Sequence, residues 1–180
     1  RAAANGLLAG GVLPIIKHIP GHGRATVDSH SELPIVKTCG QKLVDRDFHP
    51  FQDLADLPLG MTAHVLFSSL DPDAPGTLSE TIISQVIRQH IGFNGLLFTD
   101  DLSMQALGGA ISERTGRALK AGCDVALHCN GQAEEMRSVA ENCPLLSEQG
   151  QQRWRTALKF RREPQTQSRD ALLAELERII

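Results

Sequence analysis

The 180-residue sequence has no tyrosine, one tryptophan and six phenylalanines. A protein that binds single-stranded nucleic acid stacks bases on aromatic side chains, and few are available here. Neither sign of charge is in excess: 18 basic against 21 acidic residues leave a net charge of −3. That balance gives no electrostatic footprint for nucleic acid or for an anionic membrane. The one local basic run, Arg153, Arg155, Lys159, Arg161 and Arg162, reads as a solvated helix face. No apolar stretch is long enough to cross a bilayer, which takes about 18 residues or more. The four cysteines, Cys39, Cys123, Cys129 and Cys143, form no C-x-x-C pair and no zinc-ligand spacing with a histidine pair. They are expected to be reduced, mostly buried thiols of a cytoplasmic protein. Residues 1–8, RAAANGLL, lack the methionine and apolar stretch of a signal peptide. They read as the end of a helix whose beginning lies elsewhere. No internal repeat and no low-complexity tract is visible.

What is present is the composition of an ordinary globular protein, 41% hydrophobic and 22% charged. The length suits one domain with a sizeable core. Four short apolar runs, at 11–16, 59–63, 95–98 and 123–127, each close on polar groups. Those groups are Lys17 and His18, then His64, then Thr99, Asp100 and Asp101, then His128, Cys129 and Asn130. Near-continuous apolar runs of this length suit strands buried on both faces of a parallel sheet. Helical spacing lies between and after them, at 38–48, at 79–90 behind a cap-like Ser79, and at 113–121, 132–141, 147–160 and 168–180. The alternation predicts an α/β fold with crossover helices. The polar residues then gather at the carboxyl ends of the strands, where active sites form in (β/α)8 barrels and in open parallel sheets alike.

Two stretches carry the chemistry. Residues 17–30 hold His18, His22, His30 and Asp28, with Gly21 and Gly23 allowing a tight, mobile backbone after the strand. The imidazoles could in principle hold a metal, but no second cluster of known ligand spacing supports them. The other reading is acid/base work. Asp28 and His30 are one residue apart, and a carboxylate on one ring nitrogen fixes the tautomer and frees the other nitrogen to exchange a proton. The second stretch is Thr99-Asp100-Asp101. Neighbours on a strand point to opposite faces. One carboxylate is therefore expected to face the site and the other to support structure, as a helix N-cap for instance.

Three strings then acquire a joint meaning: KHIPGHGRATVDSHSELP from residue 17, MTAHVLF from residue 61 and GFNGLLFTDDLSM from residue 92. Together they resemble the signature segments of family 3 glycoside hydrolases, specifically the bacterial β-N-acetylglucosaminidases of muropeptide recycling. The resemblance runs in consistent order from about residue 6 to about residue 130; the last fifty residues are similar only in being helical. It implies a (β/α)8 TIM barrel of which residues 1–180 form one partial domain: the last four β/α units over 1–146, and C-terminal helices over 147–180. It also implies a retaining exo-β-N-acetylglucosaminidase working through a glycosyl-enzyme, with no metal or organic cofactor. Asp100 matches the nucleophile and Asp101 its supporting neighbour. His30 matches the acid/base, with Asp28 as its partner. Lys17 and His18 match residues that bind sugar hydroxyls, and His64 is expected beside them as a further substrate contact. Ile19 stands where many relatives have phenylalanine, an apolar exchange that leaves the chemistry intact.

The physics suits these roles. Retaining glycosidases pair a nucleophile with an acid/base group. A histidine, with an ordinary pKa of about 6.5, needs less tuning for that work than a carboxylic acid. Its place on a glycine-bearing loop suggests closure over bound sugar and opening for release. A whole barrel takes about 250 residues and eight strands. Half of one leaves open sheet edges and exposed core. The segment alone is therefore expected to be inactive without the N-terminal half of the barrel or another copy of the chain. The partner otherwise expected is a small glycan or muropeptide, with no nucleic acid and no membrane. The rival readings are another family 3 β-glycosidase, a metal-dependent hydrolase, and a catalytically silent sugar-binding fragment.

Overall fold

The computed structural model describes residues 1–166 and 168–179. Its strands, in chain order, are β1 (Ile15–Ile19), β2 (Ile35–Val36), β3 (Leu59–Thr62), β4 (Leu66–Phe67), β5 (Leu96–Asp101) and β6 (Val125–Leu127). The longer helices are α1 (Ala2–Ala9), α2 (Ile111–Ala121), α3 (Ala133–Glu141), α4 (Glu148–Leu158) and α5 (Arg169–Ile179). Strands β1, β3, β5 and β6 form one parallel sheet in that order. This is the expected α/β arrangement, each strand returning through a crossover on the helical side.

Every apolar run became a strand, with shifted ends. β1 begins at Ile15 rather than residue 11, because Pro14 has no N–H to give to a ladder. β5 runs on through Asp100 and Asp101, so the paired carboxylates sit in the last two strand positions. The 38–48 segment breaks into short turns at Gly40–Lys42, Leu43–Asp47 and His49–Gln52. The 79–90 segment winds as a wide helix over Ile82–His90, and the Ser79 hydroxyl accepts from the Ile82 amide at 3.0 Å, as its cap-like position predicts. Ser147 caps α4 in the same way. Residue 180, the last of the expected 168–180 helix, lies outside the described residues.

The core packs between sheet and helices. Ile19, Phe48, Phe67, Ile82, Ile83, Ile87, Phe93 and Leu97 are fully buried within it. The packing is tight enough that a Cβ on Gly60 would lie 2.8 Å from both Ile19 and Phe93. Truncating a core phenylalanine such as Phe93 to alanine costs about 3–5 kcal/mol in such surroundings. A second, smaller cluster joins Leu78, Leu102, Leu107 and Ala118. It packs the turn after β5 against α2, and so fixes the chain immediately beyond Asp101.

The two outer strands, β1 and β6, each have one neighbour in the sheet. Hollows of about 380 and 360 Å³ lie beside them, the first lined by Leu7, Ile15, Phe51 and Leu54, the second by Val125, Leu145 and Leu146. Leu145 is 97% exposed, and Val12 and Ile15 are also exposed. These are the open edges and uncovered apolar groups expected of part of a barrel. Of the thiols only Cys123 is buried; Cys39, Cys129 and Cys143 are exposed, against the expectation of mostly buried cysteines. They lie in loops and turns beyond the sheet, where no core covers them.

Candidate active site

The last two residues of β5 divide their work. Asp101 spends both oxygens on the protein. Its Oδ1 accepts from the Ser103 amide at 3.0 Å and the Cys129 amide at 3.1 Å, and its Oδ2 accepts from the Ser103 hydroxyl at 2.6 Å. Burial opposes its ionisation, but these donors and the nearby His128 outweigh burial and hold the carboxyl below its usual range. The side chain therefore ties the turn after β5 to the end of β6. It does not cap a helix: α2 starts ten residues later, behind Ala110, without a side-chain cap. Asp100 is differently placed. Its Oδ1 accepts from the Asp101 amide at 2.9 Å, and its Oδ2 lies 3.4 Å from His18 Nε2. No other protein donor reaches it among the described residues, so the outer oxygen keeps its capacity for chemistry.

His18 comes from the end of β1, across β3 from β5. Burial pushes its pKa down, and the Asp100 charge works in the opposite direction. Its ring sits 5.5 Å from that of His22. The Lys17–His18 and Ile19–Pro20 peptides are both cis. Lys17 itself is exposed and lines the hollow beside α1 along the free edge of β1, with no side-chain hydrogen bond or ion pair among the described residues.

The loop that follows carries the dyad. His30 Nδ1 lies 2.7 Å from Asp28 Oδ1, and the same oxygen accepts the His30 amide at 2.9 Å. The carboxylate raises the His30 pKa, first through this hydrogen bond and then through charge, with Asp100 and Asp101 adding to the effect. In return His30 lowers that of Asp28. Both side chains are open to solvent, at 77% and 68% exposure, so Nε2 is free to exchange a proton. The loop is anchored at few points. The His30 carbonyl accepts from the Gln105 amide at 3.2 Å, which pins the dyad beside the turn after β5. Arg24 pairs with Asp47 at 2.8 Å, and His22 meets Ser29 at 3.2 Å.

His64 does not fit the expected sugar contact. It is 0% exposed. Its Nδ1 lies 2.7 Å from the Thr77 hydroxyl and its Nε2 lies 3.0 Å from the Asp101 carbonyl. Neither nitrogen is left for a ligand, because the strand end that carries His64 is covered by the Gly76–Leu78 turn. Two groups around the site escape sequence reading altogether, and a third, His128, was legible only as a polar residue at a strand end. Thr77 is one. Arg114 is another: it holds the turn after β5 through the Leu102, Met104 and Gly109 carbonyls, yet on α2 it looks like any solvated arginine. His128 pairs with Glu135 at 2.9 Å, and its other ring nitrogen is buried without a partner. Its place at a strand end marked it in the sequence, but nothing there pointed to Glu135 as its partner. Among the described residues no three His, Cys, Asp or Glu side chains are grouped to hold a metal ion, and no helix is long and apolar enough to cross a membrane.

Comparison with known proteins identifies the family of the chain. Residues 1–156 match the N-terminal domain of glycosyl hydrolase family 3. The chain is 40% identical over 129 residues to a β-hexosaminidase of Methylobacillus flagellatus, covering 69% of this chain and 37% of that protein. It is 41% identical over 134 residues to a β-hexosaminidase of Pasteurella multocida, covering 72% and 38%. Among solved structures, NagZ of Neisseria gonorrhoeae, in complex with N-trifluoroacetyl-D-glucosamine, superposes with a TM-score of 0.75 at 30% identity, over 98% of this chain and 49% of that one. A family 3 β-N-acetylglucosaminidase of Paenibacillus superposes with a TM-score of 0.77 at 29% identity, over 93% and 35%. The chain thus spans about two fifths of the length of the curated relatives it matches.

Proposed function

Because the chain belongs to glycoside hydrolase family 3, we propose that it supplies the reacting groups of a retaining exo-β-N-acetylglucosaminidase. Asp100 is the nucleophile. It attacks the anomeric carbon while His30 gives its proton to the departing oxygen, and a glycosyl-enzyme forms. Neutral His30 then takes a proton from water as the water displaces Asp100, which restores both groups and retains the configuration. Asp28 fixes the His30 ring and stabilises the imidazolium. His18, beside Asp100, meets sugar hydroxyls, and Lys17 joins it once the free edge of β1 is covered. No metal and no organic cofactor enters the reaction.

The observation that carries this reading is the placement of a hydrogen-bonded aspartate–histidine dyad, open to solvent, on a loop bonded to the turn just beyond Asp100. Two relatives named β-hexosaminidase and a NagZ solved with an N-acylated glucosamine support the sugar. The substrate class is a terminal β-linked N-acetylglucosamine on a cytoplasmic peptidoglycan fragment. The open edges at β1 and β6 support completion of the site by the other half of a (β/α)8 barrel. The test is hydrolysis of an aryl β-N-acetylglucosaminide and an aryl β-glucoside. The 180-residue chain is assayed alone, and again with four N-terminal β/α units of a relative joined before Arg1. Turnover of the first substrate by the completed barrel, with little from the isolated chain, is expected. A completed barrel that prefers the glucoside, or ordinary turnover by the isolated chain, overturns the corresponding part of the proposal.

A further inference from the structure

We infer that His64 is a positioning residue: it holds the main chain of Asp101 and thereby sets the direction of the Asp100 carboxylate. The inference rests on the reading of Asp100 as nucleophile.

The proton bookkeeping fixes the state of the ring. The Asp101 carbonyl, 3.0 Å from Nε2, can only accept, so Nε2 carries a proton. Burial lowers the His64 pKa, so the ring is neutral and Nδ1 is an acceptor. The donor to Nδ1 is the Thr77 hydroxyl at 2.7 Å. That hydroxyl has a second acceptor in reach, the Ala63 carbonyl, at the longer distance of 3.2 Å. With its proton on His64, the Thr77 oxygen accepts from the Thr62 hydroxyl at 2.8 Å. The result is a directed chain from Thr62 to Thr77 to His64 to the Asp101 carbonyl, with all three side chains 0% exposed. Its far end reaches the site, because the Asp101 amide donates to Asp100 Oδ1 at 2.9 Å.

The sheet explains why such a device is needed. β5 pairs with β3 at Leu96, Leu97 and Phe98, and no further. Beyond Phe98 the ladder on that side has ended, and the strand's last residues lack a main-chain partner from β3. The Asp101 carbonyl accepts from the Met104 amide of the following turn at 3.1 Å, and His64, two residues past the end of β3, is the group that ties it back to the β3 side of the sheet. A satisfied buried chain of this kind rigidifies what it ends on. A nucleophile displaced by about 1 Å loses on the order of a hundredfold in rate.

Two measurements test the inference. The first is hydrogen exchange of the Asp101 amide, read by NMR on the 180-residue chain without substrate. His64→Leu, which can make neither hydrogen bond, is expected to speed exchange at Asp101 about tenfold or more while leaving Leu97 unchanged. His64→Gln, whose amide offers an acceptor and a donor at similar reach, is expected to stay within about threefold of the parent. Thr77→Val, which removes the donor to Nδ1 and the acceptor of the Thr62 hydroxyl but leaves the His64 bond to the Asp101 carbonyl, gives an intermediate value and serves where the leucine variant does not fold. An Asp101 amide indifferent to both His64→Leu and Thr77→Val overturns the inference. The second is turnover of aryl β-N-acetylglucosaminide by the completed barrel. His64→Leu is expected to lower kcat by about tenfold to a hundredfold with KM within about twofold, and His64→Gln to recover most of the loss. A rise in KM with kcat unchanged would mark His64 as a substrate contact and overturn the inference as well. A parent barrel with no turnover, beside the expected exchange result, sinks the glycosidase reading and leaves the hold on Asp101 standing.

Discussion

The two ends of the sheet treat their charged residues in opposite ways. At the amino end, Asp124 precedes β6 and is 4% exposed. Its Oδ2 accepts from Arg88 and from the Leu97 amide, each at 2.9 Å, and its Oδ1 accepts from Arg153 at 2.8 Å. Arg88 also donates to the Phe93 and Gly95 carbonyls. Both Asp124 oxygens have partners, and the triad locks the Ile82–His90 helix, the sheet and α4 together. At the carboxyl end, Asp28 and His30 share one hydrogen bond and stand in solvent, and Asp100 keeps one oxygen free of strong donors. Saturated charges make a scaffold; unsaturated ones are available for bond-making. In a parallel α/β sheet stability is built at one end and chemistry at the other.

This contrast can be broken by experiment. The largest effect is expected at Asp100. In the completed barrel Asp100→Asn should reduce turnover by about a thousandfold or more, with an unchanged urea midpoint, because a lost nucleophile removes the covalent route and little of the packing. Asp124→Ala should do the reverse. It leaves Arg88 and Arg153 buried without a counter-charge and should cost about 3–5 kcal/mol in urea unfolding, with normal turnover per folded molecule. Equal losses of activity and stability in either variant would erase the division of labour between the ends.

A smaller effect, and a sharper one, belongs to the dyad. The Asp28 carboxylate raises the His30 pKa, so the acid form persists to higher pH than a free imidazole allows. Asp28→Ala should move the alkaline limb of kcat/KM to lower pH and slow turnover by about tenfold to a hundredfold. The same sign governs stability. The contribution of the pair is complete below the ordinary imidazole pKa of about 6.5 and fades as pH rises through the elevated folded value. An unmoved alkaline limb would mean that Asp28 does not tune His30. The smallest effect is expected in the loop itself. Exchange of the amides at 21–31 should slow a few-fold on binding N-acetylglucosamine, since few contacts hold the loop in its absence. Equal protection with and without the sugar would remove closure from the mechanism.

Much of this was legible in the sequence. Runs such as Gly95-Leu96-Leu97-Phe98 read as buried strands because both faces are covered, and Ser79 announced a helix start by the side-chain oxygen a first turn requires. Asp28 and His30 were legible as a pair because one residue separates them, so their contact needs only local geometry. The unequal roles of Asp100 and Asp101 followed from strand alternation. The rest depends on distance along the chain. β2 and β4 are two residues each, too short for any periodicity, and pair across thirty residues. Thr77 lies thirteen residues from His64, and Arg88 lies thirty-six from Asp124. Nothing local marks either partner.

By itself the sequence determined the class of fold, the edge of the sheet where the proposed site lies, and the residue types at that edge. Each of these follows from short-range rules of periodicity, capping and alternation. Only the tertiary structure decided which polar groups are spent on the protein and which are left over: His64 and Asp101 are consumed, Asp100 and His30 are not. That distinction rests on burial and on partners brought from distant segments, and a side chain's own sequence neighbours do not contain it.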